Sequence, residues 1–197
     1  MATKLGLINN ALILIGDMPL DSLSGNSRAH KVALNLYDNI VQNELTKYRW
    51  GFARKKDELI EAQSAPEGTQ YKYQYVLPSD FLVLVKTNPR VDYLLYRSTS
   101  SGGSGSFTGQ HILTNHTGEL FCDYIANIPE ADFPVYFSKM IEYRLAMDFA
   151  PSIRDSAASM QLMAEQYQNA SRMARYTDSQ QHPITPIQDR PFIDVRY

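Results

Sequence analysis

The side chains able to do chemistry are few and scattered. The chain has four histidines, His30, His111, His116 and His182, and a single cysteine, Cys122. Metal binding needs such groups at ligand spacing on one element, and no histidine pair has it. One cysteine cannot build a thiolate zinc site or a disulfide within the chain. Two carboxylate pairs, Asp57 with Glu58 and Glu142 with Asp148, have the residue types for acid and base work on a glycosidic bond. Both pairs sit among basic neighbours on faces that read as exposed, and Asp80, beside Ser79 after Pro78, reads as a turn cap. No serine occupies a Gly-x-Ser-x-Gly elbow, and Cys122 falls on a predicted strand, where a thiol packs as core. "GGSGSFTG" lacks the Gly-Lys-Ser/Thr ending and the following helix that a phosphate cradle needs, so it reads as a loop. The expectation is therefore no catalytic residue, no cofactor and no metal.

Bulk properties read as those of a near-neutral protein of about one domain. At 197 residues, net charge -2 and pI near 6.1, the chain can bury a core without staples and has no concentrated basic face for nucleic acid. The basic run "ARKK" at 53–56 is followed at once by Asp57, Glu58 and Glu61, which reads as a solvated strand end. Asn9 and Asn10 interrupt the apolar run near the start, and no stretch approaches the ~20 apolar residues of a membrane span. A soluble chain without a targeting segment is expected.

The elements that would position these residues follow from periodicity. Leu5, Ile8, Leu12 and Ile15 form one helical stripe that ends at Gly16; Ser27 or Asn26 caps a second, with Ala29, Ala33, Leu36, Ile40, Val41, Leu45 and Tyr48 on one face. The pattern then changes to short aromatic and β-branched runs, predicting strands at 51–59, 71–77, 82–87, 91–97, 111–114 and 120–126. Tyr71, Tyr73 and Tyr75 alternate, so they should share one packed face. A third helix carries Phe133, Phe137, Ile141, Leu145 and Phe149 until Pro151, and a fourth begins near Ser152 with Met160, Met163, Tyr167, Ala170 and Ala174. The predicted class is α+β: a bundle of about four helices (1–49 and 131–176), an inserted small antiparallel β domain (50–130) with its own core, and an extended C-terminal arm (177–197).

The pieces "INNALILIGDMPLDSL", "SRAHKVALNLYDNIVQNELTKYRWGFARKK", "YKYQYVLPSDFL" and "ILTN" together resemble the tail tubular protein A family, the head-to-tail adaptors or gatekeepers of short-tailed bacteriophages. The resemblance runs from about Leu5 to Ala150. Its most specific parts are Ile15-Gly16 followed by Pro19-Leu20 and Ser22-Leu23, the step Trp50-Gly51-Phe52, and Leu77-Pro78 with Asp80.

The resemblance implies a structural virion protein of the tail or neck, made in the host cytoplasm. It would form a ring of typically twelve copies beneath the portal, with the tail nozzle protein on the far side and DNA passing through the lumen. It also implies that the arm reaches the portal, through Arg190, Phe192, Ile193, Val195 and Tyr197. From the residues themselves, apolar Phe192, Ile193 and Val195 with no local core to join suit a segment that binds a partner. Tyr73, Met160, Met163 and Tyr167 are candidates for the contact between subunits. Two other readings stay open: a tail-associated enzyme degrading carbohydrate or peptidoglycan, and a completion connector of a longer-tailed phage.

Overall fold

The computed structural model describes residues 2–64, 68–98 and 109–181. In chain order these form α1 (Lys4–Leu14), α2 (Arg28–Thr46), β1 (Arg54–Ser64), β2 (Tyr73–Val76), β3 (Phe81–Asn88), β4 (Tyr93–Ser98), β5 (Gly109–Thr114) and β6 (Leu120–Ala126). A short 3-10 turn, α3 (Val135–Arg154) and α4 (Ala157–Gln180) follow.

Local chemistry sets the helix ends. Thr3 caps α1 by accepting from Gly6 N, and Ser27 caps α2 by accepting from His30 N, each satisfying an amide that the first turn leaves over. Gly16 follows α1 at φ 74°, a conformation open to glycine. In the connector, the Asn9 amide donates to Leu20 O at 2.9 Å and accepts from Leu20 N at 2.8 Å. The asparagine that breaks the apolar run of α1 thus ties the helix to the loop after it.

Two boundaries differ from the periodicity. Pro151 does not end α3, which runs one more turn to Arg154 and closes on Asp155 in the left-handed region at φ 50°. Accordingly α4 starts at Ala157, capped by Ser156, rather than near Ser152. At its other end α4 continues through Thr177–Gln180, where the apolar stripe had already faded. A tertiary anchor holds that last turn: Asp178 is buried and accepts from Gly51 N at 3.0 Å and from the Tyr136 hydroxyl at 3.0 Å.

All six strands exist close to their predicted places, and they form a single curled antiparallel sheet of order β3-β6-β1-β2-β5-β4. β1 is the shared strand. Its residues 54–59 pair with β6, and its residues 60–64 pair with β2 across a bulge; bulges sharpen local twist and bend a strand. β1 begins at Arg54 rather than Gly51, because Gly51–Ala53 make a turn closed by Arg54 N to Gly51 O.

The helices pack around α3, which contacts α1, α2 and α4, and α2 also touches β3. Separate helical and β cores were expected. Instead one contiguous cluster of buried side chains runs from Leu7, Leu12 and Leu45 through Trp50 and Phe137 to Tyr75, Ile112 and Leu120. The aromatics at the junction account for this. Trp50 meets Phe137 edge to face at 5.1 Å, and Phe137 meets Phe52 and Phe133, each at 4.9 Å, the geometry that aromatic quadrupoles favour.

Candidate interaction surfaces and polar anchors

The buried charges lie where helices meet. Glu44 stands on the core stripe of α2, between Val41 and Leu45, and is 1% exposed. Three groups satisfy it: Lys47 Nζ at 2.6 Å and Arg144 Nε at 3.3 Å reach Oε1, while the Tyr167 hydroxyl donates to Oε2 at 2.7 Å. Arg144 also holds Asp148 at 2.6 Å, and the Trp50 indole donates to Glu44 O at 2.9 Å. A carboxylate taken out of water needs such full pairing. Burial alone would pull the Lys47 ammonium down, but its bond to Glu44 holds it above the ordinary lysine value. Burial, and then Glu44, push the Tyr167 phenol up. The network fastens α2, α3 and α4 to one another.

Asp178 is the second such anchor, and it joins the end of α4 to the Trp50-Gly51-Phe52 step and to α3. Burial first, and then Asp178, push the Tyr136 phenol upward. A third link joins α1 to α3: Asn10 donates to Glu142 at 2.6 Å, and Lys139 pairs with Glu142 at 3.0 Å.

On the sheet, the "ARKK" run is fully engaged. Ala53 is core, Arg54 pairs with Asp123 at 2.5 Å, Lys55 with Asp80 at 2.6 Å, and Lys56 lies 5.2 Å from the centre of the Phe121 ring. A turn follows Pro78, with Phe81 N donating to Pro78 O, and the Asp80 carboxylate within it is taken up by Lys55 and Tyr124. The Tyr124 hydroxyl sits between Asp57, at 2.7 Å, and Asp80, at 3.0 Å, an association of two carboxylates far apart in sequence. Burial pushes against ionisation of Asp80, but the bonds from Lys55 and Tyr124 outweigh it and hold the carboxyl below its ordinary value. A general acid needs the opposite shift. Asp123 behaves alike: its pairing with Arg54 and Lys86 overcomes burial and lowers it.

Burial, followed by the Asp57 charge, pushes the Cys122 thiol up to about 11, so it stays protonated and weakly nucleophilic. His30 closes the connector, with Nδ1 2.6 Å from Ser27 Oγ and Nε2 3.0 Å from Ser22 O. His116 approaches Glu119 O, His111 is buried on β5, and His182 lies outside the described residues. Among the described residues, no group of three histidine, cysteine or acidic side chains could hold a metal ion, and no helix is long and apolar enough to cross a membrane.

The tyrosines of β2 divide in role. Tyr75 is fully buried and its hydroxyl donates to His116 O and Gly118 O at 3.2 and 3.0 Å; Tyr73 packs half-buried on the same cluster, and Tyr71 precedes the strand. Of the other interface candidates, Met163 is buried in the core and Tyr167 is engaged with Glu44, while Met160 remains on the surface. Arg190, Phe192, Ile193, Val195 and Tyr197 lie outside the described residues.

Large apolar side chains stay exposed on several elements. On α4, Leu162, Met173 and Tyr176 line the side turned away from buried Met163, Ala174 and Asp178. Near α1 and α2 there are Ile13, Met18 and Leu34, and Val135 opens α3. On the sheet, the consecutive Tyr93, Leu94 and Leu95 of β4 are 41–50% exposed. Sequence reasoning found none of Glu44, Arg144 or Asp178; the available signal was a glutamate on an apolar stripe and an aspartate four residues beyond Ala174. No protein-family model matches the chain, and neither does any curated protein.

Proposed function

We propose that this chain is a structural adaptor subunit that joins the portal to the tail nozzle of a short-tailed phage and catalyses no reaction. In this reading about twelve copies form a ring, the four helices make the bundle that builds it, and the strands between α2 and α3 project as an inserted unit. DNA passes through the lumen without sequence-specific contacts, in keeping with a near-neutral charge that would not grip phosphates. The protein would reside at the neck of the virion.

The observation that carries the reading is the outward apolar line on α4. Leu162, Met173 and Tyr176 recur at eleven and three residues on a helix whose opposite side is already satisfied. These side chains share one face of α4, with Gln166 and Asn169 between Leu162 and Met173, and lack a packing partner among the described residues. A subunit that meets neighbours on two sides needs surfaces of this kind, and the buried Glu44 and Asp178 anchors would keep the helices in one arrangement as load is applied.

The test is the mass distribution of the purified chain, alone and mixed with the portal protein of the same genome. A discrete high-mass species that forms with the portal, and is lost in Leu162→Asp/Met173→Asp, is the expected result. A chain that stays monomeric with both portal and nozzle proteins would overturn the proposal, and cell-wall substrates would be tried next.

A further inference from the structure

β4 ends the sheet. It pairs along its length with β5, from Tyr93 opposite Thr114 to Ser98 opposite Gly109, and among the described residues no strand lies on its other side. Half the backbone amides and carbonyls of such a strand point outward, a template for another strand. Natural edges are commonly blunted by lysine or proline; residues 93–98 read "YLLYRS" and carry neither.

The exposed side chains restrict what can cover this edge. Neighbouring residues of a strand point to opposite faces, yet Tyr93, Leu94 and Leu95 are 41, 50 and 47% exposed. Apolar surface is therefore open on both faces of β4 at once. A helix or loop laid on the sheet covers one face, whereas a strand added at the edge shields both.

The sequence of β4 matches a second copy of itself. Residues directly opposite in an antiparallel pair share a face, so a two-fold axis must set one residue against its own copy. Centred on Leu95, the pairs are Leu95 with Leu95, Leu94 with Tyr96, and Tyr93 with Arg97 of the second copy. The first two kinds bury apolar surface, and the third lays a guanidinium on a ring. Arg97 is exposed and has no ion pair among the described residues, and the same holds for Asp92. The antiparallel course brings the acidic end of each strand beside the basic end of the other. An axis at Leu94 would instead set Arg97 against Val91 and Asp92 against Tyr96, a poorer match.

We infer that β4 is a self-association edge: two copies of this chain join antiparallel about Leu95, so that their sheets run on as one. The contact uses none of the α4 line, and it stands whether or not the chain is an adaptor subunit.

The experiment follows the full chain alone, without portal or nozzle protein. Its mass should move from one chain to two as concentration rises through the micromolar range. Leu95→Lys, which sets like charges face to face at the axis, should raise the dissociation constant at least about tenfold. Tyr93→Arg should weaken the dimer severalfold by opposing Arg97, and adding Arg97→Glu should restore it. Under mild oxidation Leu95→Cys should form a two-chain disulfide at least about fivefold faster than Leu94→Cys, because the Cα atoms at 95 lie about 5 Å apart across the axis and those at 94 about 7–8 Å. Buried Cys122 takes no part. A chain that stays single at every concentration, an assembly of any size untouched by Leu95→Lys, equal cross-linking at 94 and 95, or a cross-link that forms only on added portal protein would each overturn the proposal. The adaptor reading is tested by the mixture with portal protein, so either can fail without the other.

Discussion

The helical side of the molecule and the β4 side of the sheet treat polar and apolar groups in opposite ways. Around α3, charges are buried and every one of Glu44 and Asp178's oxygens in use is met by a donor on another element. At β4, apolar side chains are exposed and the charges beside them face water. The first arrangement specifies one geometry within a chain, because a buried carboxylate tolerates few alternatives. The second leaves surface whose burial is still to be gained, and burial of that kind is what association supplies.

Emptying the aromatic junction is the strongest way to break the comparison. Phe137→Ala should cost about 3–5 kcal/mol and loosen helices and sheet together. If the two sides melted separately in this variant, the single core would be refuted. Glu44→Ala removes the acceptor of the Tyr167 hydroxyl and the carboxylate partner of Lys47, while Arg144 keeps Asp148, and should destabilise the chain by about 1–3 kcal/mol in chemical denaturation; a loss below about 0.5 kcal/mol would show that the network is dispensable.

Asp178→Ala should cost about 1–3 kcal/mol and act locally. Hydrogen exchange should quicken in Thr177–Gln180 and at Gly51, with β4 unaffected. This sharpens the contrast, since the same aspartate explains why the helix outlasts its apolar stripe.

The pH response separates the sheet's surface pairs from the buried anchors. Asp80 and Asp123 are held below the ordinary 3.8, so they contribute stability that is complete above that value and is lost as pH falls through their lowered folded values. Lys55, raised above 10.5 chiefly by its bond to Asp80, contributes stability that is complete below 10.5 and is lost as pH rises through its folded value. Asp80→Asn should flatten both limbs of the stability profile; a profile unchanged at both ends would contradict the pairing. The smallest effect is expected at the α3 terminus, where Asp155→Gly relieves a left-handed residue and should stabilise by about 0.5 kcal/mol.

Much of the fold was legible in the sequence, for reasons that residues make plain. The alternation in "YKYQYV" and the four-residue spacing of Phe133, Phe137, Ile141, Leu145 and Phe149 are written locally, and the strands and helices they mark are present. The cap at Ser27 and the turn after Pro78 are equally local. What the sequence hid was distant. Nothing near Asp178 announces that Gly51 will donate to it, nothing near Asp57 announces Asp80 and Tyr124, and a separate β core was inferred because the aromatic junction at Trp50 and Phe137 joins residues 87 positions apart. Interaction surfaces were the least legible: Met163 and Tyr167 share a stripe with Met160, and only packing tells which of them is already engaged.

The contacts that join the two ends of the chain also govern when it can fold. Asn10 waits for Glu142, Glu44 for Tyr167, and Gly51 for Asp178, separations of 132, 123 and 127 residues. At ribosomal speeds of about 5–20 residues per second, α1 and α2 emerge on the order of ten seconds before the helices that cover them. During that interval their apolar stripes are open to water. The nascent chain therefore has a window of vulnerability fixed by the length of the β region, and a chaperone that holds the first 50 residues should raise the yield of folded protein more than one that acts after release.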